Sequence, residues 1–241
     1  MNTNQPPSQN PENPPLPEEI KEVPILYQDD AIIVVNKPPF MMVHPWRGGP
    51  RHEKALMTVV KEQTGHWLYP VHRLDRQSSG AVLFALKSEY VTFFKDRWHN
   101  ETEKKYMALG NGAMPVAGYY DHSLKSQKGI KQEALTLFEP LEYFDHHRFG
   151  ATLCEVSIKT GRKHQIRRHF SRNMHCLVGD TRYGKGRIND FFRENYQFHR
   201  LYLHSHFLKF PHPTENKMVE IHAPLTEDLQ LLNEALFKKR F

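Results

Sequence analysis

The sequence predicts an α+β domain. Strand-like stretches number about seven or eight against four or five helix-like ones. They do not alternate strictly, as the strands and crossover helices of a doubly wound sheet would. Neither an internal repeat nor an interior linker divides the 241 residues.

The elements follow in chain order. Met1 to Pro17 is dominated by Asn, Gln and Pro, with Leu16 its one sizeable aliphatic residue after the initiator Met. Such a segment buries too little apolar surface to offset the entropy of ordering, so 1–19 is expected to be a disordered tail and 20–241 to fold as one domain. Ala31 to Val35 (AIIVV) is a continuous apolar run stopped by Asn36-Lys37-Pro38-Pro39 and reads as a buried strand leaving into a loop. In Glu53 to Thr64, Leu56, Val59 and Val60 recur at helical spacing, and Gly65 supplies the stop. The polar stretch His72 to Gly80 runs directly into Ala81 to Leu86 (AVLFAL), a second buried strand. Ser88 is expected to cap a helix through about Trp98. Lys104 to Leu109, Glu133 to Phe138 and Ala151 to Lys159 carry β-branched or aromatic residues in partial alternation and read as strands. Thr160 to Arg172 is helical in pattern, and Cys176 to Val178 is a short strand ending at Gly179-Asp180. Strands at Leu201 to Phe210 and Lys217 to His222 precede a closing helix. Thr226 is its N-cap, Glu227 and Asp228 sit in its first turn and Lys238 and Lys239 in its last, all favourable to the helix dipole.

Composition narrows the function. Lys and Arg number 33 against 27 Asp and Glu, a net +6 that suits a polyanionic partner without requiring one. Cys154 and Cys176 are too few and too isolated for a secreted disulfide framework. No run approaches the roughly 18 apolar residues of a membrane span, and the N-terminus lacks the basic and apolar regions of a secretory signal. A cytoplasmic location is expected, with no membrane and no obligate protein partner. Of the 16 histidines, His146-His147 and His204 with His206 lack the spaced partners of a metal site. No glycine-rich nucleotide pattern occurs, and Gly184-Lys185-Gly186-Arg187 reads as a flexible basic loop. Neither metal nor organic cofactor is expected.

Three clusters carry chemistry. In HRLDRQSSG, Asp75 is bracketed by Arg73 and Arg76, an arrangement that either forms a local surface ion pair or holds a carboxylate ionised as nucleophile or base. Lys159 to Arg172 (KTGRKHQIRRHFSR) contains Arg162, Lys163, Arg167, Arg168 and Arg172 with no acid among them. On a helix, Lys163 faces Arg167 and His164 faces Arg168, so like charges repel unless phosphates, or the Asp75 carboxylate, offset them. Tyr106 shares one strand face with Lys104 and Ala108, where a ring packs in the core or stacks on a nucleobase.

Together these clusters resemble the RluA-type pseudouridine synthases. His72 to Gly80 is similar to that family's HRLDRxTSG, Lys104 to Ala108 to its KxYxA, and Thr160 to Arg167 to its TGRxHQ(L/I)R. Asn36-Lys37-Pro38 with His44-Pro45, Gly179-Asp180 with Tyr183-Gly184, and Leu203-His204 with His212-Pro213 follow in the family's order over roughly Ile25 to Pro224. The resemblance implies a mixed, largely antiparallel sheet with flanking helices and a central active-site cleft. It implies Asp75 as the catalytic aspartate, Tyr106 as the tyrosine that contacts the base and assists proton removal from C5, and Arg167 as the aspartate's partner. Arg73, Arg76, Arg162, Lys163, His164, Arg168 and Arg172 would contact RNA. The implied reaction breaks the bond from ribose C1′ to uracil N1 and rejoins the base through C5 without a cofactor. Two positions depart from the pattern: Ser78 stands where Thr is usual, and Phe40 where Gly usually follows Lys37-Pro38-Pro39. Within the family, Gly179 to Gly184, Arg187, Asn189 and the Phe191 to Arg200 insertion look most like the TruC branch, which modifies transfer RNA in its acceptor arm. Ribosomal RNA stays open as the substrate, as do a non-catalytic RNA-binding protein on the same scaffold and a hydrolase using Asp75 on a glycosidic bond.

Overall fold

In the computed structural model, residues 20–45, 54–145 and 148–238 are described. Their elements, in order, are β1 (Ile25–Gln28), β2 (Ile32–Lys37), α1 (Leu56–Thr64), β3 (Tyr69–Pro70), β4 (Ser79–Ala85), α2 (Ser88–Arg97), β5 (Glu103–Asn111), β6 (Gly118–Tyr120), β7 (Leu124–Lys125), β8 (Lys131–Gln132), β9 (Thr136–Phe144), β10 (Ala151–Ile158), α3 (Gln165–Arg172), α4 (Gly186–Tyr196), β11 (Leu203–Pro211), β12 (Met218–His222) and α5 (Glu227–Lys238).

Ten strands form one sheet in the order β1-β2-β4-β11-β5-β10-β9-β6, with β12 paired to β11 and β3 to β4. All pairings are antiparallel except β4 with β11, where His204 meets Ser79 and Ser205 meets Gly80. β7 and β8 make a separate hairpin. The fold is thus the expected α+β arrangement with a mixed, largely antiparallel sheet. Every residue of β2 and β4 is buried, which explains why both read as unbroken apolar runs rather than alternating ones. One apolar cluster, including Val35, Val59, Phe84, Val156 and Phe170, packs α1 and α3 onto the sheet. A second, with Phe144, Ile188, Phe192, Tyr202 and Leu232, seats α4 and α5. A third joins Ile32, Leu83, Phe94 and Phe210 beneath α2.

Several boundaries differ from expectation for identifiable reasons. The expected start of the first helix at Glu53 lies outside the described residues, as do the 1–19 tail, His146-His147 and Lys239. Ser88 is the first helical residue rather than the cap; Lys87 holds that place with no side-chain bond. The strand expected from Glu133 starts at Thr136 and runs on to Phe144. The helix expected from Thr160 starts at Gln165, because His164 turns into the left-handed region at φ 53°. The Gln165 side chain then caps the preceding turn from within, accepting from the Thr160 hydroxyl at 2.7 Å and the Arg162 amide at 3.1 Å. Cys176 to Val178 forms a single bridge, Leu177 to Gly110, rather than a strand. Residues 186 onward are not a flexible loop but α4, since Ile188 and Phe192, four apart, both reach the core. At the α5 cap position, the Thr226 carbonyl accepts from the Leu229 and Gln230 amides. Its hydroxyl accepts from Arg200 Nη2 at 2.6 Å.

Candidate active site

The loop that feeds β4 carries Asp75, and three local features fix its course. Leu74 is buried in the core beneath it. The Ser78 amide donates to the Asp75 carbonyl at 3.1 Å, closing a turn. The wholly buried Lys37 ammonium donates to the carbonyls of Pro38 (2.8 Å) and Arg76 (3.3 Å), tying the end of β2 to the loop. Gly80 follows at φ +113°, where an added Cβ would lie 2.3 Å from the Ser205 carbonyl oxygen, so only glycine lets β4 lie this close to β11. The loop therefore leaves the sheet where β4 and β11 run parallel.

From α3, Arg167 reaches two carboxylates. Its Nε and Nη2 grip Asp180 as a fork, both at 2.8 Å, while Nη1 donates to Asp75 Oδ2 at 2.9 Å. The Arg167 and Asp180 side chains are 6% and 0% exposed and that of Asp75 is 21% exposed, so the carboxylate at the open end of the chain is Asp75. Burial works against charge at both inner members, but their mutual hydrogen bonds outweigh it. Asp180 lies below its ordinary pKa, helped by the amides of Tyr183 and Arg182, and Arg167 lies above its own. Those amides donate to Asp180 Oδ1 at 3.0 and 2.9 Å, which bears out Asp180 as a support of that turn. Beyond that turn, Asp180 is also the principal anchor of Arg167. Gly179, at φ +76° with the Arg200 carbonyl oxygen 1.7 Å from where a Cβ would stand, gives Asp180 its position.

Asp75, Arg73, Tyr106, Arg162, His164 and Arg167 line one cavity of about 280 Å³. Tyr106 enters from β5 with Lys104 and Ala108 on the same buried face, as expected. Burial and then the Asp75 charge push its phenol above the usual value, so it is neutral at physiological pH. His164 Nδ1 meets the Tyr183 hydroxyl at 3.0 Å, and its Nε2 lies 3.6 Å from Asp75 Oδ1. Burial depresses its pKa despite Asp75, which leaves the imidazole neutral.

The rest of the expected basic face is arranged otherwise. Lys163 lies ahead of α3 and is exposed, so it does not face Arg167 along a helix. Arg162 Nε donates to the Glu133 carbonyl (2.9 Å), Arg168 Nη1 to the Lys125 carbonyl (3.1 Å) and Arg172 Nη1 to the Ser123 carbonyl (3.2 Å). These arginines hold the β7–β8 segment through its backbone carbonyls. Arg76 is exposed, with its guanidinium 6.0 Å from the Phe40 ring centre. Phe40 adopts φ 62°, so the backbone keeps the left-handed conformation in which glycine is unstrained and phenylalanine is not.

Sequence reasoning did not assign several lining residues to the site: His72, Trp98, His99, Ser78 and Lys104. His72 stacks on Trp98 at 4.7 Å and accepts from the Leu83 amide at 3.1 Å, and burial drives its pKa down to about 3. The HRLD order placed His72 near Asp75, but no sequence signal brought Trp98 there. Away from the cleft, Asp29, His212 and Glu215 lie close enough to suggest a metal site. His212 is already committed: Nε2 meets Asp29 at 2.8 Å and Nδ1 accepts the Glu215 amide at 3.0 Å, so it pins the loop after β11 to the β1–β2 turn. No helix of the described residues is long and apolar enough to cross a membrane.

Known proteins resemble this chain in sequence and in fold. A family model described as RNA pseudouridylate synthase matches residues 31–172. The tRNA pseudouridine synthase C of Vibrio parahaemolyticus is 37% identical over 232 residues, covering 88% of this chain and 94% of the relative. Those of Vibrio cholerae and Haemophilus ducreyi are 38% and 35% identical, covering 87% and 88% of this chain and 94% of each relative. Among solved structures, human RNA pseudouridylate synthase domain containing 4 shares the fold with a TM-score of 0.71 at 21% identity, over 89% of this chain and 93% of its own. The chain belongs to the RluA-type RNA pseudouridylate synthase family.

Proposed function

We propose that this protein isomerises uridine to pseudouridine in transfer RNA, in the acceptor arm, with Asp75, Tyr106 and Arg167 as its catalytic residues. The observation that carries the reading is the chain Asp180–Arg167–Asp75, which delivers one carboxylate, fixed from behind, to a cavity that a neutral tyrosine also lines. The substrate class is supported by the relatives named tRNA pseudouridine synthase C, which align along most of the chain.

The chemistry follows from these groups. A target base must leave its stack before a carboxylate can reach it, at a cost of a few kcal/mol that contacts from Arg73, Arg162 and their neighbours to phosphates offset. Asp75 then promotes cleavage of the C1′–N1 bond, the uracil turns, and C1′ bonds to C5. C5 gives up its proton and N1 gains one, so the product has the composition of the substrate. Arg167 keeps Asp75 oriented, because its Nε and Nη2 groups are fixed on Asp180. A neutral Tyr106 accepts the C5 proton only while handing on its own, and the nearby Asp75 carboxylate is a suitable acceptor. The two buried, free cysteines suit a reducing cytoplasm.

The test is to incubate the full chain separately with unmodified total transfer RNA and with ribosomal RNA, then map pseudouridine by carbodiimide labelling and reverse transcription. New stops in the transfer RNA acceptor arm are expected. Stops confined to ribosomal RNA would overturn the substrate assignment, and no stop in either would overturn the reading itself.

A further inference from the structure

Lys104 is unusual among the cations of this protein. It is 4% exposed, yet it lines the cleft. Its ammonium carries three donors, and its one hydrogen bond among the described residues goes to the Trp98 carbonyl at 3.3 Å. The Trp98 ring centre lies 5.5 Å away. Among the described residues, no carboxylate forms an ion pair with it. Its strongest charged neighbour is another cation, Lys159, and burial with that repulsion lowers its pKa to about 8. The same wall of the cleft carries Arg162 and His99, and His99 is held below its ordinary pKa by burial and then by Lys104 and Arg162. Gly161 completes the wall, with its Cβ direction 4.0 Å from His99 Cε1, so the turn before α3 and the turn after α2 meet there.

A buried cation with spare donors, surrounded by further cations and opening on a cleft, is costly unless an anion arrives. We propose that Lys104, with Arg162 and His99 beside it, forms a phosphate-binding subsite that takes a backbone phosphate of the RNA strand presenting the target uridine. The inference rests on the RNA-modifying reading above and assigns to the second wall of the cleft a role distinct from that of Asp75. Lys104 grips the strand, and Arg162 adds a second charge at the mouth. The carbonyl of Trp98 and the ring beneath hold the ammonium in place before RNA binds.

The test measures binding of unmodified transfer RNA to the wild-type chain, Lys104→Met and Lys104→Arg across a series of salt concentrations, with pseudouridine formation followed in parallel. For Lys104→Met, Kd is expected to rise about tenfold at low salt, and the slope of log K against log salt to shrink by about 0.7–0.9, the share of one phosphate contact. Lys104→Arg keeps the slope. In the wild-type chain, bound transfer RNA is expected to protect Lys104 from acylation, as read by mass spectrometry. A Met variant with wild-type slope and a Kd within about twofold would overturn the subsite. So would a Lys104 left unprotected by RNA, whether or not the Met variant folds. If the wild-type chain forms no pseudouridine, the functional reading fails; if it does and the slope is unchanged, only the subsite fails.

Discussion

Replacing Asp180 with Asn separates holding the proposed catalytic carboxylate, that of Asp75, in place from being it. In the wild-type chain Asp180 accepts two N–H bonds from Arg167 at 2.8 Å and two backbone amides at its Oδ1. Asn keeps one acceptor oxygen and turns the other into a donor facing a guanidinium. With the two side chains 6% and 0% exposed, water cannot replace the lost partner. Breaking a buried pair from one side costs about 3–5 kcal/mol. At about 2–4 °C per kcal/mol for a chain of this size, the melting midpoint falls by about 6–20 °C. Arg167 then keeps one bond at most to residue 180 beside its bond to Asp75, so the Asp75 carboxylate loses its fixed direction and kcat is expected to fall by at least about tenfold, while KM for RNA changes little. Thermal melting by circular dichroism and steady-state kinetics on transfer RNA below the variant's midpoint measure both effects. A midpoint within about 2 °C of wild type, with kcat within about twofold, would refute the claim that Asp180 positions Asp75 through Arg167.

Further outcomes follow from other parts of the structure. Tyr106→Phe keeps the ring and removes the hydroxyl; single-turnover rates are expected to fall by about 100-fold or more, with transfer RNA binding retained in a filter assay. His204, buried between the Ser79 hydroxyl and the Ala223 carbonyl, is driven by burial down to about 4. Its folded pKa is depressed, so the unfolded chain takes up a proton first as pH falls; stability present above about 6.5 is lost down to about 4, by about 3 kcal/mol. Melting midpoints of His204→Asn are therefore expected to fall less between pH 7 and 4.5 than those of wild type. Phe40→Gly relieves about 1–3 kcal/mol of left-handed strain against about 0.4–1 kcal/mol of added unfolded-chain entropy. Its melting midpoint should be unchanged or higher, and a clear fall would show that the ring's packing dominates.

The sheet was legible wherever burial is two-sided or alternation is regular. β2 and β4 announce themselves as AIIVV and AVLFAL, and β5 through the buried alternation of Lys104, Tyr106 and Ala108. The short strands β1, β3, β6, β7 and β8 carry too few residues for a period to emerge, and the pairings of β3 with β4 and β6 with β9 join residues well apart in sequence. Asp75, Tyr106 and Arg167 could be named in advance because each sits in a distinctive local string, and the fold brings all three to one cavity. The grip of Asp180 on Arg167 could not be named in advance because its string describes only a turn, while that contact spans 13 residues and depends on burial. Arg168 and Arg172 read as a free cationic face because backbone carbonyls of the β7–β8 segment, which satisfy them, leave no mark in the sequence. The start of α3 was misplaced because Gln165, inside the helix, replaces an N-cap side chain.

In the proposed reaction, Asp75 drives an isomerisation that removes the C5 proton without releasing the base. It is tested most directly with transfer RNA labelled with tritium at uracil C5, incubated with the wild-type chain and with Asp75→Asn. Tritium released to water is counted, and free uracil and RNA binding are measured on the same samples. The wild-type chain is expected to release tritium in step with pseudouridine formed and to liberate no uracil, and Asp75→Asn to bind RNA but release none. Turnover surviving in Asp75→Asn, or free uracil appearing with the wild-type chain, would contradict the account.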